Sequence, residues 1–305
     1  MTGTGSHKNH FHKDSVKLYG KLVQLIDIKH TLPHTENMNI RAKVSAIIIL
    51  SILLLSKAAA AERYIPKNFD WKKVCPGVER FEFSSQSTPL IYHAFKIDLT
   101  AGFHLKSFPD SADFSTLDSS GYLPVKTKEF AKKNKCVIAF NASPFIKKDK
   151  KLVYIAGIHK KDGIVFSKPN NKYAALAFTK DLRCAVIPVQ TEENCQDYEH
   201  VFGGFYPVLI DGEEQKFKTE TFDSRCGAGV SKDGKTLYIL IVEGERADNS
   251  TGLSYAQCAK IFKAMGCCSA LEFDGGGSTQ LCLNGKSVLT YSQIRPQANS
   301  IGFSF

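Results

Sequence analysis

Several common signatures of enzymes and binding proteins are missing from this sequence. It has no G-x-G-x-x-G, no P-loop, no H-E-x-x-H and no G-x-S-x-G motif, so dinucleotide binding, zincin chemistry and α/β-hydrolase chemistry have no support. No C-x-x-C occurs, and the histidines beyond residue 37 show no metal-ligand spacing. We therefore predict no metal and no cofactor. No Lys/Arg stripe alternates with aromatic residues, which argues against nucleic acid as a partner.

The sequence also lacks an apolar run long enough to cross a bilayer. The run from Val44 to Leu55 has about 12 residues, against the roughly 20 that a spanning helix needs. Basic residues precede it, and Ala58–Ala61 offers A-x-A cleavage sites. Residues 38–61 therefore predict a cleaved signal peptide and a secreted or periplasmic protein without stable membrane insertion. An uncleaved anchor is the alternative.

The remaining chain divides into two parts. Residues 1–37 lie upstream of the predicted signal, and we interpret them as a mis-called start or a non-native extension. Residues 62–305 contain no internal repeat, no low-complexity linker and no sharp change in composition, so one domain is expected there.

All nine cysteines lie in residues 62–305. Behind a signal peptide, cysteines in such numbers predict disulfide bonds, and an odd count leaves at least one thiol over. Cys184 and Cys195 flank a predicted hairpin and form the first expected pair. Zinc binding is the alternative, although no C-x-x-C supports it.

The hydrophobic pattern favours strands over helices. Ile91, His93 and Phe95 alternate with residues of the opposite face, whereas residues 136–140 are almost continuously apolar. Strands are predicted at 89–99, 103–108, 136–140, 152–158, 173–179, 183–189, 204–210, 227–231, 236–242 and 298–305. Helices are predicted at 127–135 and 253–265. The pattern predicts an α+β fold: a single β-rich domain with a mixed sheet and few helices.

Three predicted strands end at a polar residue. Phe140 is followed by Asn141, Val242 by Glu243, and Phe273 by Asp274. A carboxylate pair is the minimum equipment for acid–base or nucleophilic chemistry at a sugar carbon. Each residue also has a structural alternative, since Asn141 would form an Asx-turn before a proline and Glu243 would only flank a turn.

The segment after Asp274 is the most informative stretch of the chain. Three glycines, Gly275–Gly277, are followed by Ser278 and a threonine. Consecutive glycines adopt positive φ and bring backbone N–H groups close to an anion. Arginine side chains with planar guanidinium groups suit phosphate oxygens. An ordinary flexible turn and a surface ion pair are the alternatives.

Seven segments together resemble, in order, the phosphodiester glycosidase family (N-acetylglucosamine-1-phosphodiester alpha-N-acetylglucosaminidase-like, or "uncovering enzyme", domains). The segments are Phe140–Phe145, Gly203–Gly212, Arg225–Val230, Leu240–Arg246, Thr251–Ser254, Leu271–Thr279 and Arg295–Ile301. The run L-E-F-D-G-G-G-S-T is similar to the family's N-L-D-G-G-G-S-S/T. R-P-Q-A-N-S-I resembles its closing R-P-V-A-N-A-I. The sequence departs from the family at residues 141–144, at Cys226 and at Glu243.

The resemblance implies a secreted hydrolase that cleaves sugar-1-phosphodiester bonds, with a GlcNAc-1-phosphodiester or an envelope glycopolymer as substrate. Asp274 and Glu243 would form the catalytic pair. The substrate-binding residues would be Asn141, Arg225, Gly275, Gly276, Gly277, Ser278, Arg246 and Arg295. A non-catalytic glycan- or cell-wall-binding protein on the same fold is the alternative, and a disulfide-stabilised interaction protein is a third possibility.

Overall fold

The computed structural model describes residues 64–110, 121–244, 246, 248–292 and 295–305. Tyr64–Phe305 forms one compact unit. The predicted extension and signal peptide lie outside the described residues. Among the helices within those residues, none has the length and apolar character needed to cross a bilayer.

Short strands dominate the described residues. They are β1 Lys72–Cys75, β2 Val78–Ser85, β3 Leu90–Asp98, β4 His104–Phe108, β5 Ile138–Asn141, β6 Phe145–Lys147, β7 Val153–Ile155, β8 His159–Lys161, β9 Ile164–Ser167, β10 Ala175–Phe178, β11 Cys184–Ile187, β12 His200–Gly203, β13 Pro207–Ile210, β14 Glu213–Glu214, β15 Arg225–Val230, β16 Thr236–Val242, β17 Ser269–Glu272, β18 Leu281–Leu283, β19 Lys286–Ser287 and β20 Ser300–Ser304. The α-helices are α1 Thr127–Lys133, α2 Glu192–Cys195 and α3 Tyr255–Met265.

The strands assemble into several sheets. An eight-stranded sheet has the order β1-β2-β3-β16-β15-β17-β13-β14. Two five-stranded sheets have the orders β11-β10-β12-β8-β9 and β19-β18-β5-β20-β4, and β6 pairs with β7. The β-rich character and the small helix content are confirmed. Every pairing between these strands is antiparallel, so the predicted mixed sheet is wrong. Eight of the sixteen pairings join strands that are consecutive in the sequence and connected by short loops, which favour antiparallel pairing.

The eight-stranded sheet is covered on both faces. One face packs against the two five-stranded sheets, with Phe95, Phe140 and Phe202 among the buried side chains. The other face packs under α3, where Phe262 and Tyr92 are buried. Strands buried on both faces read as continuous apolar runs, as the sequence of β16 does.

The best predicted helix forms, but it begins later than expected. Its N-cap is Ser254, which accepts from the N–H of Gln257 while the Gln257 side chain bonds back, forming a capping box. Gly266 ends the helix at φ 91°. Asn284 and Gly285 form the turn between β18 and β19, with both φ angles positive (48° and 72°), as is typical of an Asn-Gly hairpin turn.

The cysteines correct a sequence prediction. All nine carry free thiols in the structure, so the predicted disulfides are absent. Cys184 of β11 packs in the core between the sheets, whereas Cys195, at the end of α2, packs with Ile158 and Val201 on the opposite face of the sheet that contains β11. The expected Cys184–Cys195 pair is therefore separated by the sheet itself.

Candidate active site

Two of the predicted strand tips leave the large sheet at the same edge. β15 lies between β16 and β17, with Arg225 opposite Val242 and Gly227 opposite Glu272. Glu243 and Asp274 therefore follow the ends of β16 and β17, the two strands that flank β15. Two strand spacings place their backbones about 10 Å apart. Because pairing on both sides of β15 is antiparallel, β16 and β17 run in the same direction and end together.

Asn141, at the end of β5, holds the turn that follows Asp274. Its Nδ2 donates to the Asp274 carbonyl at 2.7 Å, and its Oδ1 accepts from the Gln280 N–H at 2.8 Å. The Asp274 N–H in turn donates to the Ala142 carbonyl at 2.9 Å. The Asn141 amide thus bonds to both ends of the turn, and a contact with sugar stays a prediction.

The glycine turn is tightly packed against the start of β15. Gly276 has φ 55°, which disfavours a side chain, and a Cβ on Gly275 would lie 2.7 Å from the Ser224 carbonyl oxygen. The Gly276 N–H donates to that same carbonyl at 2.9 Å, so it is not free to bind an anion. A Cβ on Gly276 would lie 3.2 Å from a carboxylate oxygen of Asp223. Sequence reasoning missed Asp223, whose charge lies against the predicted anion site.

Asp274 is half-buried. Burial raises the pKa of its carboxyl group to about 6, and the neighbouring Ser278 side chain and Arg295 charge offset part of that rise. Arg295 stacks on the Phe145 ring, with 5.0 Å between its guanidinium carbon and the ring centroid. The structure therefore brings three predicted residues, Asp274, Ser278 and Arg295, into one cluster.

Several buried oxygen atoms near this cluster have no hydrogen-bond partner among the described residues. They are Ser143 Oγ, Ser224 Oγ, Thr279 Oγ1 and Asn299 Oδ1. The Asn299 amide group donates to His159 Nδ1 at 2.7 Å, which leaves its oxygen facing away from that bond. Burying such groups without partners is unfavourable, so they mark positions where water or a polar ligand would bind.

Glu243 forms a second cluster. Its carboxylate is only 2% exposed, and Oε1 accepts from His93 Nε2 at 3.0 Å and from the Thr290 N–H at 2.9 Å. Oε2 accepts from the Thr290 hydroxyl. Burial alone would raise the pKa of Glu243, but the hydrogen bonds from His93 and Thr290 outweigh burial and lower it below its ordinary value. Arg246 donates to the Thr290 hydroxyl oxygen at 2.9 Å and so reaches Glu243 through that residue.

The Arg225 side chain points away from both clusters. Its Nε donates to the Leu253 carbonyl at 2.8 Å, a second nitrogen donates to the Thr221 carbonyl, and the guanidinium lies over the Tyr255 ring at 4.3 Å. It neighbours Glu272 on the face covered by α3. Burial raises the pKa of Glu272 to about 8, partly offset by the Arg225 charge. The guanidinium N–H groups that were predicted to bind phosphate therefore donate to protein carbonyl groups.

Sequence and structure comparisons agree with this architecture. The phosphodiester glycosidase (NAGPA) family profile matches residues 134–304. The chain belongs to the phosphodiester glycosidase family. A search of curated proteins finds no match.

Two solved structures share the fold of this phosphodiester glycosidase family member. The zebrafish N-acetylglucosamine-1-phosphodiester alpha-N-acetylglucosaminidase (NAGPA) catalytic domain, auto-inhibited by its pro-peptide, is 20% identical, with a TM-score of 0.59 over 76% of this chain and 84% of that chain. A hypothetical protein from Synechocystis is 13% identical, with a TM-score of 0.61 over 78% of this chain and 64% of that chain. At these identities the likeness concerns the fold.

This phosphodiester glycosidase domain holds four further candidate residues that the sequence analysis did not name as site residues. Each contacts or neighbours a predicted site residue; they are His93, Thr290, Asp223 and Asn299. His93 left a signal in the sequence, because it interrupts the apolar face of β3. Within the described ranges, no three His, Cys, Asp or Glu side chains are grouped so as to hold a metal ion.

Proposed function

We propose that this chain hydrolyses sugar-1-phosphodiester bonds, with a GlcNAc-1-phosphodiester or an envelope glycopolymer as substrate. The observation that carries the proposal is the contrast between two carboxyl groups at one sheet edge. The pKa of Asp274 is raised to about 6, whereas the pKa of Glu243 is lowered. Pairs whose environments separate their pKa values in this way have distinct catalytic roles.

Asp274 would act as the general base. A phosphate group leaves readily, so the reaction needs little protonation of the leaving oxygen, and the main requirements are an activated water and stabilisation of an oxocarbenium-like state. Water would lose a proton to the Asp274 carboxylate and attack the anomeric carbon while the bond to the phosphate oxygen breaks. A pKa of about 6 suits a base that works near neutral pH.

Glu243 would provide a fixed negative charge beside the sugar. Three hydrogen bonds from two residues hold its carboxylate in one orientation, which preorganises it for charge stabilisation. Arg295 beside Asp274 and the exposed Arg246 beside Thr290 would bind the phosphodiester, since guanidinium groups match phosphate oxygens. Arg225 is left out of this role because its donors bond protein carbonyl groups.

The substrate class rests on the family and on the unpartnered oxygen atoms. Ser143, Thr279 and Asn299 offer buried oxygen atoms that would pair with sugar hydroxyl groups. We also propose that the chain is exported, on the basis of the sequence of residues 38–61. The nine free thiols weigh against a strongly oxidising compartment.

The test is hydrolysis by the purified chain of a GlcNAc-1-phosphodiester and, in parallel, of bacterial envelope glycopolymers, with release of sugar measured. Asp274→Asn is expected to lower kcat by at least about 100-fold, the usual contribution of acid–base catalysis. Asp70→Asn, which changes an exposed aspartate, is the matched control. Because the base must be ionised, kcat/KM is expected to rise with pH through about 6.

Two outcomes would contradict the proposal. Turnover by Asp274→Asn at the wild-type rate would remove Asp274 from the mechanism. Binding of either substrate by a folded chain without any turnover would favour the alternative of a non-catalytic glycan-binding protein.

A further inference from the structure

The imidazole of His93 connects buried Glu243 with the edge of the large sheet. His93 lies on β3, opposite Glu82 of β2 and opposite Ile241 of β16. Its side chain is 1% exposed, and Nε2 lies 3.0 Å from Glu243 Oε1. Its other nitrogen, Nδ1, lies 3.2 Å from Arg80 Nη2 and 3.5 Å from Glu82 Oε2.

The partners of His93 determine where its protons lie. An ionised Glu243 only accepts, so Nε2 carries a proton in every state of the ring. Nδ1 faces one donor and one acceptor. When Nδ1 is unprotonated it accepts from the Arg80 guanidinium, and when it is protonated it donates to the Glu82 carboxylate. Arg80 and Glu82 form an ion pair and are 31% and 49% exposed, so this side of the ring communicates with solvent.

We propose that His93 is a positioning residue of the active site, which fixes the orientation and the ionised state of Glu243, and whose Nδ1 gains or loses a proton from solvent, accepting a hydrogen bond from Arg80 when it is unprotonated and donating to Glu82 when it is protonated. This inference rests on the proposed function for its catalytic meaning. The contacts themselves do not depend on the reaction.

The charged groups around the ring favour this arrangement. Glu243 faces it from the end of β16, and Arg80 and Glu82 face it from β2. The charge of Lys72 on β1 helps to lower the pKa of Glu82. Arg246 bonds to the Thr290 hydroxyl and is connected with Glu243 through that residue. Burial would lower the pKa of His93, but bonding to Glu243 and Glu82 outweighs burial and raises it above its ordinary value. A cationic imidazolium between two carboxylates then keeps Glu243 ionised.

A simpler account is that His93 only fills the core and satisfies its hydrogen bonds. The two accounts differ in whether the charge of the ring matters. Gln in place of His93 keeps a donor near Glu243 and removes the charge. The exposed His104 on β4 supplies the matched control, since His104→Gln removes a histidine without touching this network.

The first experiment needs no substrate. The ring nitrogens of His93 are followed by ¹⁵N NMR as a function of pH, with the signal assigned by its loss in His93→Gln and its retention in His104→Gln. We expect the pKa of His93 to fall by about one unit or more in Glu243→Gln, the usual effect of one adjacent opposite charge. A smaller fall is expected in Glu82→Gln. The same pKa in the wild type and in both variants would overturn the proposal.

The second experiment measures the pH dependence of kcat/KM. In His93→Gln the pKa of Glu243 should rise, so log kcat/KM should fall with slope 2 on the acid side, where the wild type falls with slope 1. A His93→Gln profile that superimposes on the wild-type profile would also overturn the proposal. If the wild type shows no turnover, the proposed function fails while the NMR titration still decides the role of His93. If His93→Gln does not fold, the wild type and Glu82→Gln carry the NMR test.

Discussion

Arg225→Lys separates a structural role of this arginine from the phosphate-binding role that the sequence predicts. In the structure the guanidinium bonds two carbonyl groups, those of Leu253 and Thr221, and stacks on Tyr255. Lysine keeps the charge but not the planar fork, so it would retain one of the two bonds. A hydrogen bond to a charged group contributes about 1.5–3 kcal/mol. We expect Arg225→Lys to lower the free energy of unfolding by about 2 kcal/mol.

In a domain of this size, each kcal/mol shifts Tm by about 2–4 °C, so Arg225→Lys should melt about 4–8 °C below the wild type. Urea unfolding at pH 7 gives the free energy, and Arg183→Lys is the control because Arg183 makes an exposed ion pair with Asp181. The control should change stability by less than about 1 kcal/mol. An Arg225→Lys protein with wild-type stability and a large loss of kcat/KM would refute this reasoning and restore Arg225 as a substrate ligand.

Three further perturbations have expected outcomes. Burial raises the pKa of Glu272 to about 8, so the stability that protonated Glu272 contributes is fully present below the ordinary carboxyl pKa and is lost as pH rises through about 8. Glu272→Gln should remove that loss when urea unfolding is followed from pH 5 to pH 9, and an unchanged pH dependence would contradict this prediction. Gly276→Ala should reduce the free energy of unfolding by about 1–2 kcal/mol, because a side chain is strained at its positive φ; an unchanged urea midpoint would count against the described turn. Thiol titration of the denatured, non-reduced chain should find nine thiols, whereas one remaining thiol would restore the predicted disulfides.

The positions of Glu243 and Asp274 were accessible from sequence because an apolar strand that stops at a polar residue marks a sheet edge. The clustering of Asn141 with Asp274 follows from pairing between distant segments, since β5 meets β20 and β18 in a separate sheet. Sequence periodicity gives the faces of each strand, but it does not give the partner strand. The family resemblance supplied the expectation that these strand ends belong to one site.

The orientation of the Arg225 side chain shows what a strand-tip argument leaves out. A residue at the start of a strand points to one of two faces, and one step of register changes the face. Here Gly227 and Gly229 share the face of Arg225, and both lie close to Phe262 of α3. Alternating glycines in a buried strand indicate close approach of a neighbouring element. The sequence R-C-G-A-G-V therefore held a signal that Arg225 faces the helix.

The disulfide prediction went wrong for a different reason. Cysteine number and a predicted signal peptide describe the compartment, not the spacing of side chains. Seven of the nine cysteines are buried in the packed interior, where a thiol behaves as a small apolar group, and Cys75 and Cys268 are half-buried. Cys226, for example, faces the core between the sheets with Ala228 and Val230.

Three carboxyl groups near the ends of β16 and β17 show how the environment assigns different chemistry to similar residues. Glu272 is buried without an N–H or O–H donor, and its pKa of about 8 leaves it mainly neutral at pH 7. Asp274 is half-buried beside Ser278 and Arg295, and its pKa of about 6 lets it exchange a proton near neutrality. Glu243 receives three hydrogen bonds and stays ionised. The order follows the number of donors that offset burial, so the donors around each carboxyl group, more than its place in the sequence, set its pKa and distinguish the proposed base, Asp274, from the proposed fixed charge, Glu243.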